Sequence, residues 1–207
     1  MVTEPLQPLT LLENAPLYWR EQLLPAADAD QLLDALLTSL TWHRPHVQVY
    51  GQRHPVPRQV AWCADQGVDY SYAGHCHDGQ GWPPLLLQLK RTIESVCDKP
   101  FNAVLLNRYD NGRHSMGYHR DNEAELGPRP WVASYSLGAT RDFTFRPWLP
   151  DAGGSRRQCA RVALPHNSLL LMSPACQTYY EHALPRRAHQ QGSRINLTFR
   201  LIYPKNK

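Results

Sequence analysis

Two stretches in the first half of the chain carry a helical stripe. In "DADQLLDALLTSL" (28–40) leucines fall at 32, 33, 36, 37 and 40, a spacing that lines apolar side chains along one helix face. Asp28 or Asp30 is placed to cap the first turn. In "PPLLLQLKRTIESVC" (83–97), Leu86, Leu89, Ile93 and Val96 share a face, and a proline opens the helix. Beyond residue 100 the period changes. "FNAVLLNRY", "WVASYSL", "RDFTFR", "ARVAL", "SLLLMS", "TYYEH" and "RINLTFRLIY" are short β-rich runs separated by Gly, Pro, Asn and Asp. Such a series predicts a double-sheet barrel or jelly roll, with the two helices buttressing one sheet. "PWLPDAGGSRRQ" (147–158) reads as a hairpin loop with basic residues at its end.

Composition narrows this picture. The 207 residues fit one domain, and 42% apolar content excludes disorder over most of the chain. Eighteen prolines and twelve glycines favour short strands over a helical bundle. A formal charge of +4 and a pI near 8.9 are mildly basic, too little alone to argue for nucleic acid. The five cysteines (63, 76, 97, 159, 176) lack CxxC spacing, so a disulfide scaffold is not expected and a reducing cytoplasm is. The N-terminal residues have no basic region followed by a long apolar run, as a signal peptide would. No window approaches the ~20 apolar residues that a membrane span needs.

The candidate chemistry centres on "MGYHRDNE" (116–123). Residues i and i+2 project to one side of an extended segment but to nearly opposite sides of a helix. His119 and Asp121 can therefore share a ligand only if this segment is extended, and its glycine-containing surroundings allow that. A polar turn is the better explanation of a His-x-Asp pair taken alone. A third group changes the balance: His182, in "TYYEHALP", lies at the end of a predicted strand. Two histidines and one carboxylate form the facial triad of non-haem Fe(II) oxygenases. His166 and His189 compete for the third place, although both read as solvated surface histidines. "GHCHDG" (74–79), with His75, Cys76 and His77, is a rival cluster without an evident fourth ligand.

"RINLTFR" (194–200) adds a second feature. In a strand, Arg194, Asn196, Thr198 and Arg200 face one side, and Ile195, Leu197 and Phe199 the other. The arginines are ~20 Å apart along the strand. Leaning inward, two guanidiniums can grip the carboxylates of a short dianion. A solvent-facing strand with scattered charge is the plainer alternative. Asn107 and Tyr109 share a face in "LLNRY" and can hydrogen-bond the same dianion or cap a turn.

At these residues the sequence resembles the AlkB family of Fe(II)- and 2-oxoglutarate-dependent dioxygenases. The matching pieces are "NRYDNGRHSMGYHRDNE", "WVASYSLGATRDFTFR", "SLLLMS", "YYEHALP" and "RINLTFR", in family order. The likeness is greatest to the branch that repairs alkylated bases in duplex DNA. The resemblance implies an α+β fold: a double-stranded β-helix (jelly-roll) core over about 100–203, N-terminal buttressing helices, and a nucleotide-recognition lid over about 45–80. Residues 1–44 would be a helical extension and 45–207 the dioxygenase domain, together one structural unit.

The resemblance also implies that His119, Asp121 and His182 ligate Fe(II). Arg194 would hold the far carboxylate of 2-oxoglutarate and Arg200 the end near the metal, with Asn107, Tyr109, Asn196 and Thr198 beside them. Tyr70 and Tyr72 would present aromatic planes to a flipped base, with Arg58 and Glu123 around the lesion. Val49 and Tyr50 match a wedge that fills the gap left by the base. Arginines 156, 157, 186 and 187 are candidates for phosphate contacts. The implied reaction is O₂- and 2-oxoglutarate-dependent demethylation of 1-methyladenine or 3-methylcytosine in single- or double-stranded DNA. RNA or a protein side chain is the alternative substrate, and a non-catalytic nucleic-acid reader a more distant one. A monomeric bacterial cytoplasmic protein is the simplest expectation.

Overall fold

A computed structural model describes residues 5–49, 51–68, 70–72, 75–77, 79–148 and 159–203, with residues 49, 70–72 and 75–77 described by backbone alone. Its described part is built on two antiparallel sheets. The larger has seven strands, in the order Gln7–Leu9, Leu17–Arg20, Ser168–Met172, Val132–Gly138, Arg194–Arg200, Ala103–Tyr109, Gln59–Ala64. The smaller has four, in the order Ala160–Leu164, Arg141–Pro147, Tyr180–Leu184, Met116–His119. Two hairpins stand apart from both: His46–Val49 with Gln52–Pro55, and Tyr70–Tyr72 with His75–His77.

Both striped segments are helical. Helix α1 spans Ala26–Ser39 and helix α2 Pro84–Cys97. The cap of α1 departs from expectation. The helix starts at Ala26 behind Pro25, with no side-chain cap, and Asp28 lies inside its first turn. The Pro25 carbonyl accepts the first helical hydrogen bond, from the Ala29 amide at 3.1 Å. Leu32 and Leu36 of α1, with Leu86, Leu89 and Ile93 of α2, pack against Leu137, Leu169, Leu171, Ile195, Leu197 and Phe199 of the seven-stranded sheet. The helices thus cover its outer face.

The opposite face of that sheet meets the smaller one. Leu170 and Met172 turn inward beside Phe143, Phe145, Leu164 and Leu184. After the buried Ser168 the run "LLLM" (169–172) is unbroken in its apolar character because this strand is buried on both faces.

Three expectations need revision. Residues 1–44 are not a purely helical extension, since Gln7–Leu9 and Leu17–Arg20 extend the large sheet at one edge. Gln59–Ala64, expected within the lid, forms the other edge by pairing with Ala103–Tyr109. These short N-terminal runs lack sustained alternation, and pairing to a preformed sheet outweighs their weak local pattern. "TYYEH" begins as the last turn of helix α3 (Pro174–Tyr179) before extending at Tyr180. The loop at 147–158 does join two paired strands, although residues 149–158 lie outside the described part.

Asn167 ties α1 to the sheet. It sits at φ 66°, a left-handed conformation that Asn tolerates. Its buried side chain accepts from the Leu24 amide (3.0 Å) and the Tyr135 hydroxyl (2.8 Å), and donates to the Leu24 carbonyl (2.7 Å). Neighbouring His166, expected in solvent, instead accepts through Nδ1 from the Gly138 amide at 2.9 Å. Asn167→Ala should lose about 2–4 kcal/mol of stability by stranding these groups and straining the backbone. Urea unfolding of the two proteins measures it; a loss below about 1 kcal/mol would contradict this role.

Candidate active site

The smaller sheet brings the metal candidates together. His119 ends its strand and stands in register with His182 on the neighbouring strand. Their rings meet edge-on at 4.3 Å, and Phe143 packs on His182 at 5.1 Å. Asp121 follows two residues later, just beyond the strand, and its carboxylate converges on both rings. Ligand atoms of His119, Asp121 and His182 all lie within 4.8 Å of one another. This is the only such three-residue group among the described residues, while the side chains of the His75–Cys76–His77 rival lie outside the description.

The surroundings orient each group. His119 Nδ1 is 2.9 Å from the Gly117 carbonyl. An N–H there leaves Nε2 with its lone pair free. Asp121 Oδ1 accepts from Arg200 at 2.8 Å, and the Asp121 amide donates to Gln177 Oε1 at 3.0 Å. Asp121 Oδ2 is buried with no hydrogen-bond partner among the described residues, 3.8 Å from His182 Nε2. An orphaned carboxylate oxygen facing imidazole nitrogens fits a divalent cation.

Protonation agrees. Burial raises the Asp121 carboxyl, but the charges of Arg200, His182 and His119 outweigh this and bring it to about 2. Burial, aided by His119 and Arg200 against the pull of Asp121, lowers His182 to about 3. An ionised carboxylate and a neutral imidazole are the states that metal binding needs.

The seven-stranded sheet supplies the facing wall of a partly open cavity between the two sheets. Its lining includes the triad, Asn107, Tyr109, Arg194, Asn196, Thr198 and Arg200. Register explains the grouping: Arg194 pairs with Tyr109, and Asn196 with Asn107 and Ser136. The alternate residues Ile195, Leu197 and Phe199 enter the helix-facing core as expected. Arg194 is buried at 1% exposure, donates to Ser136 Oγ (2.9 Å) and lies over the Tyr109 ring (5.7 Å). Arg200 sits at the Asp121 end. The Asn196 amide is held by Ser134 Oγ (2.8 Å) and the Tyr135 carbonyl (3.0 Å), and Thr198 donates to Asn196 Oδ1.

The substrate-side expectations fare unevenly. Arg58 is buried, and its Nε donates to Asn107 Oδ1 at 2.8 Å, so it braces the cavity floor. Glu123 Oε2 is buried without a hydrogen-bond partner among the described residues. Tyr50 and the side chains of Val49, Tyr70 and Tyr72 lie outside the described part, as do residues 156 and 157. Arg187 is not a free phosphate contact, because it pairs with Asp142 at 2.7 Å. Arg186 and His189 are exposed. Gln177, Ser134 and Ser136 escaped sequence reasoning; only contacts between residues remote in the chain disclose them.

A model of the 2OG-Fe(II) oxygenase superfamily matches residues 16–200. The DNA oxidative demethylase ALKBH2 of Mus musculus is 39% identical over 188 residues, covering 87% of this chain and 78% of that protein. The chain belongs to the AlkB family of 2OG-Fe(II) oxygenases. It is similar to human ALKBH2, at 39% over 181 residues (85% of this chain, 69% of that protein). Alpha-ketoglutarate-dependent dioxygenase alkB homolog 3 of Mus musculus is 34% identical over 180 residues (86% and 63%). The solved structure titled "The structure of OsALKBH1" superposes with a TM-score of 0.62 at 16% identity, covering 95% of this chain and 100% of that one. Its likeness bears on the fold alone. As a family member this AlkB-type chain is an Fe(II)- and 2-oxoglutarate-dependent dioxygenase. No helix among its described residues is long and apolar enough to cross a membrane.

A pH dependence follows from the buried triad. His182 takes a proton near 6.5 when unfolded but only near 3 when folded, so the unfolded state binds more protons between those values. Asp121, lowered from 3.8 to about 2, acts in the same direction below pH 3.8. Both contributions are present above the unfolded pKa and lost as pH falls. Stability of the metal-free protein should decline below pH 6.5 by on the order of 1 kcal/mol per pH unit from His182. Urea unfolding from pH 7 to 4 should show this slope, and His182→Gln should flatten it. Identical slopes would remove His182 as the cause.

Proposed function

We propose that this AlkB-family chain removes methyl groups oxidatively from N-alkylated bases in DNA, 1-methyladenine and 3-methylcytosine in particular. The observation that carries the reading is the convergence of His119, Asp121 and His182 opposite Arg194 and Arg200 across one cavity. The similar ALKBH2 proteins are DNA oxidative demethylases, which supports DNA as the substrate. The two facing sheets correspond to the double-stranded β-helix of the family.

His119, Asp121 and His182 hold the metal. Arg194 receives the far carboxylate of 2-oxoglutarate beside Tyr109, while Arg200 neutralises the metal end through Asp121. Held there, Fe(II) and 2-oxoglutarate would supply, with O₂, the oxidising power for hydroxylation of an N-methyl group, whose carbon would be released as formaldehyde. The chain's own work is orientation and exclusion of water. Phe143, Met172 and Leu184 give the cavity a dry side, where the charges of the clasp act more strongly than in water. A ring methylated at its pairing edge is cationic and costs least to extrude. Glu123 Oε2, without a hydrogen-bond partner among the described residues, suits such a cation. Tyr70 and Tyr72 would stack on the flipped base, with Arg58 behind them and Val49 and Tyr50 as the wedge.

Methylated single- and double-stranded oligonucleotides, incubated with protein, Fe(II), 2-oxoglutarate and ascorbate, test this. Loss of each methyl should be matched by one succinate and one formaldehyde. Succinate without lesion loss would retain the dioxygenase and refute the substrate. His182→Ala should reduce turnover at least about 100-fold while remaining folded by circular dichroism. Retained turnover would take His182 out of the triad.

A further inference from the structure

A buried guanidinium stands behind the cavity, outside its lining. Arg141 opens the Arg141–Pro147 strand and is 2% exposed. It donates to three backbone carbonyls: Asn111 (3.3 Å), His114 (2.9 Å) and Pro185 (2.7 Å). These belong to two turns. One joins the Tyr109 strand to the His119 strand, and the other leads from the His182 strand towards Arg194. The turns are also joined directly: the Gly112 amide donates to the Gln190 carbonyl (3.0 Å), and the Arg187 amide to the Gly112 carbonyl (2.7 Å). A Cβ on Gly112 would collide with the Arg187 carbonyl oxygen, so only glycine permits this approach.

Arg141 and Arg194 lie over the same Tyr109 ring, at 6.0 and 5.7 Å from its centroid. Among the described residues no carboxylate accepts from either. Asp142, the acid whose charge acts on Arg141, is hydrogen-bonded to Arg187 (2.7 and 2.9 Å). Arg194 Nε is buried without a hydrogen-bond partner among the described residues. Burial lowers Arg194 to about 10, with Tyr109 opposing and Arg141 adding to the fall. Two cations packed around one aromatic ring leave this end of the cavity with unbalanced positive charge, which favours an anion there.

We propose that Arg141 is a positioning and specificity residue for the co-substrate. It pins Tyr109 and both turns at the far end of the cavity. Its charge reinforces that of Arg194, so that a 2-oxo diacid is selected over the 2-oxo monoacid of equal length. The inference rests on the reading that Arg194 receives the far carboxylate.

The test is calorimetric binding of 2-oxoglutarate and 2-oxopentanoate to protein loaded with Mn(II), with Mn(II) binding measured first in each variant. Wild type is compared with Arg141→Gln, Arg141→Lys and Arg194→Met. Arg141→Gln should weaken 2-oxoglutarate about tenfold and change 2-oxopentanoate by less than about twofold. Arg141→Lys, which keeps the charge, should retain most of the diacid preference. Equal weakening of both acids marks a merely structural residue and overturns the proposal, as does unchanged 2-oxoglutarate affinity. If Arg141→Gln does not fold, Arg141→Lys decides: a diacid preference as low as that of Arg194→Met overturns it. Should Arg194→Met itself bind 2-oxoglutarate normally, the assignment of Arg194 fails. Loss of binding there with none in Arg141→Gln removes Arg141 alone.

Discussion

The hydrogen-bonded ion pair between Arg200 and Asp121 fixes the geometry from which the rest of the site follows. It joins the last residue of a strand in the large sheet to the chain just beyond a strand of the small one. Both charges are almost wholly buried, at 3% and 2% exposure. Removing two charges from water is costly, and the contact is sustained by directed hydrogen bonding rather than by attraction alone. Because Arg200 occupies Oδ1, Oδ2 remains for the cation. One bond therefore sets the spacing of two sheets and selects which oxygen faces the metal.

From that spacing the division of labour follows. The small sheet carries the imidazoles and the large one carries the guanidiniums, so under the proposed function metal and diacid would be gripped from opposite walls. Register then does the fine placement. Arg194 stands beside Tyr109, and Asn196 beside Asn107, because neighbouring strands pair them directly. Each polar residue on the inner face is backed by an apolar neighbour on the outer face, which α1 and α2 clamp. The same alternation that packs the helices thus aims the arginines.

Much of this was legible in the sequence because it depends on local period. The stripe of α2, the alternation in "RINLTFR" and the i, i+2 relation of His119 and Asp121 are properties of a few adjacent residues. His182 already stood out at a strand end where His166 and His189 read as solvated, and the resemblance to AlkB proteins implies the same choice. What stayed hidden was set by distant partners. Leu17–Arg20 is a strand only because Ser168–Met172 offers it an edge. His166 looks like a surface turn residue until the Gly138 amide is found beside it. The bond from Arg58 to Asn107, 49 residues along the chain, gives no local signal either. Gln177, holding the Asp121 amide from 56 residues away, left no local trace at all.

The two small hairpins pair only within themselves, not with the sheets that hold the iron ligands and the diacid clasp. Their backbones can be lengthened, shortened or recoloured with other side chains without breaking a single rung of either main ladder. Under the proposed function, which molecule is oxidised and how the oxidant is made would be carried on separate pieces of chain, so that one targeting loop could be exchanged for another with the chemistry intact.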